Sequence, residues 1–329
     1  MLGGFPHGLF VDTNNTIYAG SCYNNMIKVW ANGSLTLLRT ITNGLFRPFS
    51  LFVSMGGDIY IDNGFSNGRV DKWTLNATNG VSVMNISEAC HGLFIDTNNS
   101  LYCSLENLNM IVKVDLNKNS TTPIRIAGNG TVGSTSSLLS APWGIFVDIH
   151  FNLYVADSKN NRIQRFDLDA WNAITVAGNR APYTISLNCP TGIILDGNGF
   201  LFIMDSDNYR IVASSSDGFR CVVGCSHVGG SAPNRLYHAR YMAFDTYGNM
   251  FVADDDNHRI QKFVLASNSC VQITTINKIS NQTTSVDDRL STTSMFSTTI
   301  GGTRSAMGTN MLNLIYYHLF LLSFLAFVF

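Results

Sequence analysis

The stretch "PWGIFVDIHFNLYVADSKNNRIQRFD" (142–167) shows the hydrophobic and polar pattern that runs through most of the chain. Two runs of strand length, "IFV" and "LYV", are β-branched, aromatic and aliphatic, and a polar link at 148–152 joins them. Each run is closed by an Asp, and "RIQRF" then alternates as a half-exposed strand does. The pattern predicts a hairpin followed by a third strand.

The pattern recurs, and an internal repeat outranks any local reading. Further copies read "PHGLFVDTNNTIYAG" from Pro6, "PFSLFVSMGGDIYID" from Pro48, "CHGLFIDTNNSLYCS" from Cys90, "PTGIILDGNGFLFIMDSDNYRI" from Pro190 and "RYMAFDTYGNMFVADDDNHRI" from Arg240. The residues closing the first run are Asp12, Ser54, Asp96, Asp148, Asp196 and Asp245, spaced by 42, 42, 52, 48 and 49. Units also carry a fourth run, such as "PIRIAG" (123–128), "AITVAG" (173–178) or "CVVG" (221–224). Four short strands per unit of this length is the arithmetic of a propeller blade. The expected fold is an all-β, six-bladed β-propeller of four-stranded blades over residues 1–276. Blade 6 supplies its own fourth run, "CVQITTI" (270–276), so no borrowed terminal strand is visible.

"LYVADSKNNRIQRF" and "MFVADDDNHRIQKF" give the chain its resemblance to the NHL-repeat propellers. A strand, Ala-Asp, a polar loop with Asn, then Arg-Ile-Gln-x-Phe is a fairly specific signature, and the resemblance covers about Pro6 to Ile276. Blades 1 and 3 depart from it, with "NNMIKVW" and "NMIVKVD" lacking the Arg. NHL-type propellers include RNA binders with a basic face, ubiquitin-ligase-type proteins, and peptidyl-hydroxyglycine lyases that hold zinc by channel histidines.

Composition narrows these options. Charged residues make up 13% of the chain, and the formal net charge is −1. Its 21 Lys and Arg are scattered, so nucleic acid is not expected as a partner. Beyond the repeats, residues 277–310 are rich in Ser and Thr and poor in large apolar side chains, which predicts a flexible stalk and a candidate for O-glycosylation. Residues 311–329, "MLNLIYYHLFLLSFLAFVF", are uncharged and hydrophobic. With the small residues Gly301, Gly302 and Thr303 and a polar spacer ahead, this end fits a GPI-attachment signal with Gly301 as the attachment position; a C-terminal tail anchor is the alternative.

Asn-x-Ser/Thr sequons at Asn14, Asn32, Asn76, Asn85, Asn98, Asn119, Asn129 and Asn281 agree with a cell-surface location. Seven cysteines, at 22, 90, 103, 189, 221, 225 and 270, permit disulfides and leave one over. Cys189, Cys221 and Cys225 fall in or near blade 5, where a local staple is expected; the remaining pairing stays open. No apolar leader precedes the first strand, so the reading expects an N-terminus that begins late.

Asp157, Asp205 and Asp254 each stand five residues before Arg162, Arg210 and Arg259. A group repeated at one blade position argues for structure, a carboxylate serving turn N–H groups or the Arg, whereas a catalytic carboxylate is needed once. His7, Phe49, His91, Trp143, Thr191 and Arg240 occupy matching slots at the entrance of each first strand, the innermost of a blade, and form the expected ligand-binding channel rim. No cofactor is expected; the alternative is a divalent metal on His7 and His91 with His238 completing the set, since a catalytic zinc needs three protein ligands. "GNGTVGSTSS" (128–137) leads into no helix and reads as an inter-blade loop rather than a phosphate cradle. The leading expectation is a monomeric, non-enzymatic surface module that binds a protein, peptide or glycan. The alternatives are a metal-dependent channel-mouth lyase or hydrolase and the propeller of an intracellular ubiquitin-ligase-type protein.

Overall fold

The computed structural model describes residues 4–264, except 35, 182 and 183, together with the backbone strand Gln272–Thr274. The stalk at 277–310, the hydrophobic segment at 311–329, Asn281, Gly301 and Cys270 lie outside the described residues.

Six four-stranded sheets follow one another, each made of four consecutive strands in simple up-and-down order. The innermost strands are Pro6–Val11, Leu51–Val53, Cys90–Ile95, Pro142–Val147, Pro190–Leu195 and Tyr241–Phe244. Each touches the next around a central axis, and the last returns to the first. The fold is a six-bladed β-propeller. Helical pieces among the described residues are single turns of three or four residues.

Hydrophobic burial falls between blades. Six core clusters are present, one per junction: Ile27, Val29 and Ile41 of blade 1 meet Leu51, Ile59 and Trp73 of blade 2, and so on around the ring. The sixth joins Leu9, Ile17 and Trp30 of blade 1 to Phe251 and Ala253 of blade 6. Blade 6 uses its own fourth strand, as the sequence implied, so closure is lateral. Across that seam Asn15 Oδ1 accepts the backbone N–H and the hydroxyl of Thr246 at 2.7 and 2.9 Å.

The Gly after the rim position has a steric reason. A Cβ on Gly144 would lie 2.3 Å from the Thr191 carbonyl oxygen, and one on Gly192 would lie 2.7 Å from that of Arg240. The innermost strands approach that closely only without side chains there. First hairpins are set by Asp12, Asp96, Asp148, Asp196 and Asp245, whose Oδ1 atoms accept N–H groups two and four residues on.

The repeated Asp and Arg side chains meet, and they do more than pair. Asp157, Asp205 and Asp254 each accept Nε of Arg162, Arg210 and Arg259 at 2.7 Å. The second oxygen of each takes a backbone N–H from the segment entering the blade, that of Ser140, Asn188 or Tyr237, at 2.7 Å. The guanidinium of Arg162 then donates to the carbonyls of Ser134, Thr135 and Leu138, and Arg259 does the same to Ser231, Ala232 and Arg235. An Asn three residues after the Asp (Asn160, Asn208, Asn257) completes the set. Each set fastens an inter-blade loop, whose backbone would otherwise lack partners, to the blade it enters.

Blade 2 keeps the chemistry with the residues exchanged. Asn63 stands where Asp254 stands in blade 6, and Asp71 where Gln261 stands. Asn63 Nδ2 donates to Asp71 Oδ2 at 2.8 Å, the reverse of Gln261 donating to Asp254 at 2.8 Å, and Arg69 Nε lies 2.8 Å from Asp71. Blades 1 and 3 place Ser21 with Met26 and Leu105 with Met110 in the slots and lack the pair.

Among the described residues two disulfides are present. Cys221–Cys225 is the blade 5 staple, without Cys189, which with Cys22 is unpaired among the described residues. Cys90–Cys103 is the second, joining the inner two strands of blade 3.

Replacing Arg162 by Met leaves the fully buried Asp157 carboxylate without its cation, and the expected loss is about 3–5 kcal/mol. Urea unfolding of the two proteins measures it. A loss below about 1 kcal/mol, typical of an exposed ion pair, contradicts this role.

Candidate functional site

At one mouth of the central channel lies a cavity of about 480 Å³. Innermost-strand entrances contribute His7, Phe49, His91, Trp143 and Arg240, five of the six rim residues expected from the sequence. The turns after the second strands add Tyr23, Phe65 and Glu106, and connecting segments add Arg47 and Glu88. Thr191 is absent from the wall. Its small side chain is buried and its hydroxyl donates to the Ala239 carbonyl at 3.2 Å, tying blade 5 to blade 6.

The rim side chains contact one another in sequence, His7 edge-on to Phe49 and the following pairs tilted. Ring centroids lie 5.2 Å apart for His7 and Phe49, 4.7 Å for Phe49 and His91, and 4.6 Å for His91 and Trp143. The Arg240 guanidinium caps the row 4.5 Å from the Trp143 ring, a cation–π contact. Arg47 lies 4.2 Å over Phe65 and 5.3 Å over Tyr23, both aromatics largely exposed. One wall is thus aromatic and cationic.

Carboxylates lie beside the polar members. Arg240 Nε donates to Asp255 Oδ2 at 2.5 Å, and Asp255 Oδ1 lies 3.3 Å from His7 Nδ1. His91 Nε2 lies 3.1 Å from Glu106 Oε2, while its Nδ1 is buried without a hydrogen-bond partner. Burial, reinforced by the Arg240 charge, lowers both imidazoles from 6.5 to about 3, so both are neutral near pH 7. Burial also raises Asp255 to about 6 against the pull of Arg240, and the fully buried Asp62 nearby in blade 2 to about 7.

His238 does not join this group. Its Nδ1 lies 2.6 Å from Asp256 and its ring packs on Tyr209 and Tyr237, away from the cavity wall. Among the described residues no group of three His, Cys, Asp or Glu side chains could hold a metal ion, so the set His7, His91 and His238 does not fit a three-ligand zinc. Sequence reading missed Arg47, Tyr23, Phe65 and Glu106, although Tyr23 and Phe65 share one turn position that alignment of the repeats could have flagged, and Glu106 stands one residue earlier in its own turn.

No family model matches the chain, and no curated protein matches it. Solved structures of similar shape do exist. A structural genomics protein of unknown function from Bacteroides thetaiotaomicron VPI-5482 superposes with TM-score 0.65 at 14% identity, over 79% of this chain and 69% of that chain. An auxiliary nutrient binding protein from the same organism gives 0.61 at 16%, over 79% and 68%. Virginiamycin B lyase from Staphylococcus aureus gives 0.56 at 15%, over 83% and 85%. At such identities the likeness establishes the class, a six-bladed β-propeller, and nothing finer.

The buried imidazoles make a pH prediction. His91 titrates near 6.5 when unfolded and about 3 when folded, so the unfolded chain binds the extra proton and stability is lost as pH falls below 6.5. His91→Gln removes that component. Its stability relative to the parent is expected to improve by up to about 1.4 kcal/mol per pH unit between pH 6.5 and 4, whatever its packing offset at pH 7.5. Parallel stability–pH curves from urea titrations would contradict the assignment.

Proposed function

We propose that the chain is an NHL-type propeller acting as a binding module at the cell surface, with the channel-mouth cavity as its ligand site. The observation that carries this reading is the continuous row of ring contacts His7–Phe49–His91–Trp143, ending on Arg240, on one wall of a 480 Å³ cavity. Ligand pockets combine apolar and aromatic walls with a few fixed polar groups, and this cavity has both. The described neighbour that is a nutrient binding protein supports a binding role for the fold.

The surface location draws on other features. Two disulfides belong to an oxidising compartment. Asn14, Asn32, Asn76, Asn85, Asn98, Asn119 and Asn129 are exposed, as glycan acceptors must be. The stalk and hydrophobic end complete the reading, with a GPI anchor preferred to a tail anchor.

A second reading, a channel-mouth lyase or hydrolase, draws on His91. Its imidazole lines the cavity, and Glu106 Oε2, 3.1 Å from Nε2, is placed to fix which ring nitrogen carries the proton. This version works without the three-histidine metal site.

Screening the full-length protein against peptide and glycan arrays tests the binding reading. A ligand whose affinity falls at least about tenfold in Trp143→Ala, with the variant still folded at the assay temperature, is the expected result. Ligands indifferent to that change would place binding elsewhere, and sustained turnover abolished by His91→Gln would favour the enzyme. Release of the protein from intact cells by a phosphatidylinositol-specific phospholipase checks the anchor; retention argues for the tail.

A further inference from the structure

A second cavity, of about 230 Å³, lies in blade 4, apart from the channel mouth. Its wall consists of Ser134, Lys159, Asn160, Arg162, Asn179 and Arg180: three cations and no carboxylate. Lys159 occupies the turn after the second strand, the slot that sends Tyr23 and Phe65 into the channel-mouth cavity. Arg180 follows the fourth strand, Ile174–Gly178, and Ser134 belongs to the glycine-rich loop at 128–137.

The three cations differ in their surroundings. Arg162 is buried and balanced by Asp157 at 2.7 Å. Lys159 and Arg180 have no ion pair among the described residues, which leaves two adjacent, uncompensated positive charges in a chain of net charge −1. Arg180 is nonetheless held in place. Its Nη1 donates to the Ser134 carbonyl and its Nη2 to the Ser134 hydroxyl at 3.1 Å. Its backbone sits at φ +74°, a region few non-glycine residues occupy. Around it, the Asn160 amide donates to the Gly133 carbonyl and to Asp157, and the Asn179 amide to the Asn160 carbonyl, so these polar groups have partners within the protein. An arginine held by such contacts has part of its ordering cost met before any ligand arrives.

We propose that this cavity binds a tetrahedral oxyanion, the sulfate or phosphate group of a monoester, through Lys159 and Arg180. Arg180 offers its remaining guanidinium N–H groups as a planar fork, and Lys159 supplies a mobile point charge. The glycine-rich loop contributes to the site indirectly: its Ser134 oxygens turn toward Arg180 and position it, so the anion meets side-chain cations rather than a helix N-terminus. An anion entering here encounters no carboxylate on the wall, whereas the channel mouth carries Glu88 and Glu106.

Titration calorimetry of the full-length protein at low ionic strength with inorganic phosphate, glucose 6-phosphate and glucose 6-sulfate tests the site. The expected result is one-to-one binding of at least one probe, weakened at least about tenfold in Lys159→Ala and in Arg180→Ala and weakened by added salt. Trp143→Ala should leave that binding unchanged, separating it from the channel mouth. Preference for glucose 6-phosphate identifies a phosphate monoester as the ligand, and preference for glucose 6-sulfate a sulfate ester. Both variants alter solvent-exposed side chains, and unchanged melting temperatures verify their folding. No binding of any probe at millimolar concentration, or binding insensitive to both variants, overturns the proposal.

Discussion

No blade of this protein can hide its own apolar faces, and the rest of the structure depends on that constraint. A four-stranded sheet has two sides, and each finds cover only on a neighbouring blade. The six core clusters sit at the six junctions for this reason, the seam between blades 6 and 1 included. Closure at that seam requires no exchanged strand. It rests on Leu9, Ile17 and Trp30 packed against Phe251 and Ala253, with Asn15 bonded to Thr246. The channel, its mouth and the aromatic rim exist because the ring closes.

Closure creates a second demand, since each inter-blade segment must cross the disc with its backbone groups satisfied. The Asp–Asn–Arg sets of blades 4, 5 and 6 meet it by reaching from the blade to the carbonyls and N–H groups of the loop before it. Blades 1 and 3 rely on a second device, which blade 4 also carries: Asn25, Asn109 and Asn161 accept the N–H of Arg47, Ala141 and Cys189 at the entrance of the next blade. All three asparagines adopt left-handed backbone conformations, as do Tyr209 and His258 at the same position. The "NNR" and "NHR" strings therefore encode a turn geometry as well as a salt bridge.

Much of this was legible in the sequence because it repeats. Strand runs, the Asp at each first hairpin and the Asp–Arg spacing recur with enough regularity to count blades. What was illegible depends on contacts between copies or on a single copy. The exchange of Asn63 and Asp71 in blade 2 preserves a hydrogen bond while changing both residue types, so pattern matching sees only a loss. Thr191 occupies a rim slot by alignment, yet a side chain that short is taken up by the Ala239 carbonyl. Cys90 and Cys103 pair across adjacent strands through a register irregularity near Leu105 that no spacing rule reveals. Lys159 lies in the polar loop of the repeat signature and Arg180 stands 21 positions further on, outside it; only the fold brings them to one cavity.

Hydrogen exchange on a variant damaged at the closing seam tests the central claim most directly. Leu9→Ala opens a cavity in the core between blades 1 and 6, where the parent side chain is buried. In a closed ring whose blades are mutually dependent, protection should fall together in the strands of blades 3 and 4, on the far side of the disc, and in those of blades 1 and 6. Loss confined to blades 1 and 6, with the distant blades as protected as before, would describe an array of independent sheets and contradict the account.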